Sequence, residues 1–186
     1  MNANYLVVLL SVSLMGIACN DQSAAATEKN VPDASTQASG ADSSASAVSK
    51  TVVADAAGSL VLTAENGTAT GPEIKYMPEW KAFGWFGGKD QVRWEAEVAS
   101  SGLYEVWIEW SVAPEEAGKE FILEAKDHSV TGKVKSSGSW ETYINEKVGQ
   151  IELNKGGQSI IFRPNVPFEK GAILDLREIK LVPLNK

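Results

Sequence analysis

The chain has 186 residues, 44% hydrophobic and 22% charged, with 24 acidic against 17 basic side chains and a formal net charge of -7, a balance that suits one globular domain of ordinary size. The acidic surplus excludes nucleic acid as a partner, which would require clustered Lys and Arg. A single Cys and a single His exclude a disulfide framework within the chain, multi-cysteine zinc sites and paired-His metal motifs. Against these absences stand six Trp, and fourteen of the fifteen aromatic residues lie after residue 75.

Residues 5–19 form an apolar, uncharged run that ends at Cys19. As a helix it falls about five residues short of the roughly 20 needed to cross a bilayer. Its length and position fit the core of a secretory signal, giving an expected signal peptide over 1–18. Gly16 and Ala18 precede Cys19, and the segment resembles a bacterial lipoprotein lipobox, in which the signal is cut before a Cys that then carries lipid. The resemblance implies a protein held at a membrane of the cell envelope through lipid on Cys19. More than one acyl chain would hold it stably, because each buried methylene contributes about 0.8 kcal/mol. A cleaved signal with an inert Cys is the plain alternative.

From Asn20 to Lys50 the sequence is Ala, Ser, Thr, Asp and Gln without an aromatic residue. Such a stretch buries too little to repay its backbone entropy, so residues 19–57 are expected to form a disordered linker. About 30 flexible residues would span on the order of 30 Å root-mean-square.

After Gly58 the character changes, and residues 58–186 read as an all-β domain. Ser59–Ala64 forms a first strand, followed by the turn residues Asn66 and Gly67. Val92, Trp94, Ala96 and Val98 alternate with polar residues, the period of a half-buried strand. After the Ser101-Gly102 turn, Tyr104, Val106, Ile108, Trp110 and Val112 share a face, and Phe121, Leu123 and Ala125 repeat the pattern. Further strands are expected over 130–134, 143–148, 151–153 and 159–163, with the last inside 172–182. Short strands at this spacing, with turn residues between and no helical stripe, indicate an antiparallel β-sandwich of jelly-roll type.

Six fragments carry a resemblance to a known family: Leu62–Glu65, Gly84–Trp94, Ser101–Val106, Gly138–Tyr143, Ile151–Gln158 and Leu174–Ile179. In order and spacing they resemble family 6 and family 35 carbohydrate-binding modules (CBM6 and CBM35), jelly rolls of the galactose-binding-like group. In such modules an aromatic before the Gly-Asp strand and a Trp after the later Gly sandwich a sugar ring. The resemblance places these roles on Trp85 and Trp140, with Trp80, Tyr143 and Lys89 as further ligand-binding candidates. A pyranose presents C–H groups on its faces, and an aromatic plane is a flat, weakly negative partner with little entropy to lose. The Asn that commonly assists near the last strand has no counterpart within Ala172-Ile173-Leu174. The resemblance also implies a structural calcium held by Glu65 and Asp175, completed by carbonyls and water because calcium takes six to eight oxygens.

Core packing is the ordinary use of a Trp, whose burial removes about 150–250 Å² from water. Trp94 and Trp110 lie on apolar strand faces and are expected inside, whereas Trp107 shares a face with Glu105 and Glu109 and should be half-exposed. Trp80, Phe83, Trp85 and Phe86 crowd one short segment, too many for a loop to bury, so some should face solvent or a ligand. No concentrated acid/base site points to a glycosidase. Asp127, His128 and Ser129 are sequence neighbours whose side chains diverge, unlike a converging triad. No phosphate or dinucleotide fingerprint is present. The chain therefore reads as non-catalytic. Either it is a lipid-anchored module that captures oligo- or polysaccharide, or it is an envelope adaptor whose sandwich holds a protein partner such as a secreted hydrolase. The first requires a cleft between accessible indoles; the second requires a broad apolar patch without one.

Overall fold

The period-2 stretches become strands in a computed structural model that describes residues 50–184. The expected signal peptide 1–18, Cys19 and most of the 19–57 segment lie outside the described residues. Two sheets of six strands, one mixed and one antiparallel, form the sandwich. In chain order the strands are β1 (Val52–Val53), β2 (Leu60–Thr63), β3 (Thr68–Thr70), β4 (Lys75–Met77), β5 (Ala82–Gly84) and β6 (Gln91–Val98). They continue as β7 (Gly102–Ser111), β8 (Glu120–Ala125), β9 (His128–Lys133), β10 (Ile144–Leu153), β11 (Gly156–Pro164) and β12 (Asp175–Pro183). One sheet runs β1-β6-β11-β8-β9 with β3 also on β6; the other runs β10-β7-β12-β5-β4 with β2 also on β12. Every pairing is antiparallel except that of β1 with β6.

Alternation explains the core. On β6 Val92, Trp94, Ala96 and Val98 are buried, and across the sandwich β7 contributes Tyr104, Val106, Ile108 and Trp110. Burial of large aromatics requires their polar atoms to find partners. Trp94 Nε1 donates to the Thr63 carbonyl at 2.8 Å, Trp110 Nε1 to the Lys135 carbonyl at 3.0 Å and Tyr104 Oη to the Ser100 carbonyl at 2.8 Å. Phe162 stacks on Phe121 and takes Phe86 edge-on, with centroids 5.4 and 5.6 Å apart.

Four departures from the sequence reading matter. Ordered structure begins before residue 58: β1 falls inside the segment expected to be linker, and Val52 is buried where it pairs with Ala96. Strands β3, β4 and β5, each three residues long, occupy a stretch read as turn and loop. The strands expected over 143–148 and 151–153 are one strand, β10, whose register shifts at Val148 between Lys147 and Gly149. On β12 a second shift, between Leu176 and Glu178, loops out Arg177, as a β-bulge does when it re-aims side chains. That bulge lies beside the cleft described next.

Candidate functional site

The loop after β5 is built to hold one aromatic outward. Trp85 has φ 51°, the left-handed region that bulky side chains avoid at a cost on the order of 1–3 kcal/mol. The next residue, Phe86, is fully buried, and its carbonyl accepts from Ile173 N–H at 2.8 Å. Gly87 N–H donates to Asp90 Oδ2 at 2.8 Å, and Glu73 N–H to Oδ1 at 3.4 Å, so the buried Asp90 carboxylate ties the loop to the segment before β4. Gly88 tolerates no side chain, because a Cβ there would lie 2.0 Å from the Phe168 carbonyl oxygen. Pinned in this way, Trp85 keeps 58% of its surface exposed.

Trp85 and Trp140 line one cleft of about 360 Å³, together with Met77, Ala172 and Asp175. Trp140 is half-buried against the core, and its carbonyl accepts from Ser111 Oγ at 2.7 Å. The Ala172 carbonyl accepts from Lys119 Nζ at 2.9 Å, and that ammonium is already paired with Glu116. Asp175 opens β12 opposite Ser111 of β7. Burial pushes its carboxyl up to about 6, because desolvation disfavours the ionised form. It is the one charged residue lining this cleft. A neighbouring hollow of about 480 Å³ shares Trp85 and Ala172 and adds Pro72, Glu73, Lys75 and Gly171; Lys75 Nζ lies 5.4 Å from the Trp85 ring centroid. Hollows of about 430 Å³ around Val52 and Asn66, and about 670 Å³ around Leu103 and Glu152, contain no tryptophan.

Trp80 and Tyr143 are together but are not lining residues of the cleft. Their rings stack at 6.2 Å, and Arg177, in the β12 bulge, lays its guanidinium 3.5 Å from the Tyr143 centroid. Arg177 Nε donates to the Trp80 carbonyl at 3.1 Å and Nη1 to Glu109 at 2.7 Å. Tyr143 Oη is buried without a hydrogen bond. Burial first, then the charges of Asp175 and Glu109, push its phenol up, against the opposing effects of Ser111 and Arg177.

The remaining candidates lie elsewhere. Lys89 pairs with Glu169 at 3.2 Å and lines a small notch with Phe168, outside the cleft. Glu65 accepts from Tyr76 Oη at 3.4 Å and lies 4.0 Å from Lys81 Nζ, whereas Asp175 faces the tryptophans. Glu65 and Asp175 line no common hollow, and no group of three His, Cys, Asp or Glu able to hold a metal occurs among the described residues. As placed, the pair does not fit a calcium site needing six to eight oxygens. Trp107 is half-buried with its Nε1 donating to Glu105, and His128 stands 4.0 Å from Glu152 on strand β9.

Sequence reasoning assigned Asp175 to a metal and offered Lys89 as a polar group near the indoles; the structure brings Asp175 to that place instead. Its position as the first residue of the last strand, beyond the apolar Ala172-Ile173-Leu174 run, was the available signal.

No family model matches the sequence, and no curated protein matches it. Solved structures do. A family 35 carbohydrate-binding module from Clostridium thermocellum superposes with a TM-score of 0.55 at 16% identity, covering 66% of this chain and 97% of that module. The C-terminal CBM6 of LamC, a marine laminarinase from Zobellia galactanivorans, gives 0.56 at 13% identity, over 67% and 98%. The module CBM6cm-2 of Cellvibrio mixtus lichenase 5A, solved with cellotriose, gives 0.53 at 16%, over 67% and 97%. An exo-β-1,3-galactanase from Phanerochaete chrysosporium matches at 23% identity and 0.53, but over only 29% of its own length. The fold is therefore the jelly roll of family 6 and family 35 modules, and the three modules named above are matched over nearly their whole length.

Proposed function

We propose that this protein is a non-catalytic carbohydrate-binding module, lipid-anchored through Cys19 at the bacterial cell envelope, whose Trp85–Trp140 cleft grips a sugar ring of an oligo- or polysaccharide. The observation that carries the reading is the backbone of Trp85. A large aromatic in the left-handed region with 58% of its surface in solvent is disfavoured twice, by conformation and by exposure. A function that needs the indole face supplies the reason to keep it. Trp140 offers a second aromatic wall, and Asp175 a polar group that selects hydroxyl or amine orientation. A cleft of a few hundred Å³, mostly apolar with few polar groups, is the ordinary form of a small-ligand site. Its presence supports glycan capture over the adaptor reading, which required a broad apolar patch instead.

The anchor rests on sequence alone: the apolar run ending at Cys19, followed by a polar tract without an aromatic residue. Mass spectrometry of the membrane-extracted protein should find Cys19 acylated; an unmodified thiol would remove the anchor without touching the binding reading. A glycan array probed with wild type and Trp85→Ala tests the binding itself. Wild type should be retained on a subset of glycans and the variant on none. An array empty for both proteins would overturn the proposal in favour of the adaptor.

A further inference from the structure

We propose that the Trp85–Trp140 cleft selects a sugar bearing a free, protonated amine, held between the indole faces and the Asp175 carboxylate; this rests on the sugar-binding reading above. The cleft wall is two indoles, a thioether, a methyl group and one carboxyl. A carboxylate only accepts hydrogen bonds, and even the partial burial of Asp175 is costly without a cation. Among the described residues the Asp175 side chain makes no hydrogen bond and no ion pair. The groups around it supply no positive charge. Ser111 faces it from β7, Gly84 from β5 and Met77 from β4, and Trp140 and Tyr143 reach it from the segment before β10.

Of the cations near the cleft, Arg177 and Lys119 are committed elsewhere. Arg177 holds Glu109, the Trp80 carbonyl and the Tyr143 ring, and Lys119 holds Glu116 and the Ala172 carbonyl. Lys75 lies over the Trp85 ring, among the residues of the neighbouring hollow. An ammonium on the ligand completes the site with charge-assisted hydrogen bonds to the carboxylate and attraction to the negative faces of the indoles. A neutral hydroxyl satisfies only the first of these, and more weakly. A ligand carboxylate would meet a like charge.

The test titrates the full chain by calorimetry at pH 7 with three probes: the glucosamine trimer, its fully N-acetylated form and cellotriose. About 0.15 M salt screens attraction between a cationic oligomer and the acidic protein surface. The amine trimer should bind on the order of tenfold more tightly than either neutral trimer, the gain of one charge-assisted contact. Trp85→Ala should abolish that binding. Asp175→Asn, a near-isostere, should erase the preference for the amine trimer while melting no lower than wild type at pH 7. Lowering the pH through about 6 should also erode the preference in wild type, as Asp175 takes up a proton. Equal affinity for the three trimers, or a preference that survives Asp175→Asn, would overturn amine selection and leave glycan binding standing. No trimer bound while the array retains only neutral or acidic glycans would do the same. An array empty for wild type would instead overturn the reading beneath it.

Discussion

Trp94 and Trp110 are fully enclosed between the sheets, each with its indole N–H on a backbone carbonyl, whereas Trp85 leaves 58% of its surface in solvent on a left-handed backbone. The same side chain is therefore used in two ways within one small domain. In the core its area and hydrogen bond stabilise the fold. At the cleft the fold is arranged around it, with Asp90, Gly88 and the Phe86–Ile173 hydrogen bond holding a conformation that the residue itself disfavours. Stability and function draw on different tryptophans, so they should separate under mutation.

The sharpest separation is expected at Trp94. Trp94→Ala should cost about 3–5 kcal/mol of stability, seen as a large fall in denaturation midpoint, and a loss under 1 kcal/mol would break the contrast. Trp85→Ala should do the reverse, eliminating retention on glycans while changing stability by no more than about 1 kcal/mol. Within that variant pair, Trp85→Gly should be more stable than Trp85→Ala by about 1 kcal/mol, because glycine adopts the left-handed region freely. Equal midpoints would show that the loop carries no backbone strain.

A fourth prediction concerns the carboxyl between the indoles. The Asp175 carboxyl sits at about 6 against an ordinary 3.8, so between these values the folded state binds more protons than the unfolded one. Its contribution to stability therefore falls as pH rises from about 4 to 6 and stays low above. Melting curves of wild type and Asp175→Asn should diverge over that window, with the Asn variant gaining relative to wild type as pH rises. Parallel curves would place the carboxyl in water. The smallest effect expected is none: chelation of divalent cations should leave the melting temperature unchanged, since Glu65 and Asp175 face different partners. A clear fall would restore the calcium that the family resemblance implied.

Much of the sandwich was legible because long strands with one buried face write their period into the chain, as at β6, β7 and β8. Strands of two or three residues leave no period, which is why β1, β3, β4 and β5 went unread. Bulges hide for a related reason. The register shifts at Val148 and Arg177 flip the face of every later residue, so a broken alternation looks like two strands or like noise. At the site, Trp85 and Trp140 were named through residues that resemble a family pattern, and the structure lines one cleft with both. Asp175 was named too, but as a partner of Glu65, because its approach to two distant tryptophans depends on which strands pair. Lys89 was included for proximity in sequence, and its ion pair with Glu169 draws it outside the cleft.

The six indole N–H resonances of the full chain test the central claim most directly. On addition of cellotriose, of the glucosamine trimer and of any glycan retained on the array, the Trp85 and Trp140 signals should move together. Those of Trp94 and Trp110, bonded inside the core, should stay in place. Six stationary signals with every sugar, or shifts confined to Trp107, would contradict the assignment of glycan binding to this cleft.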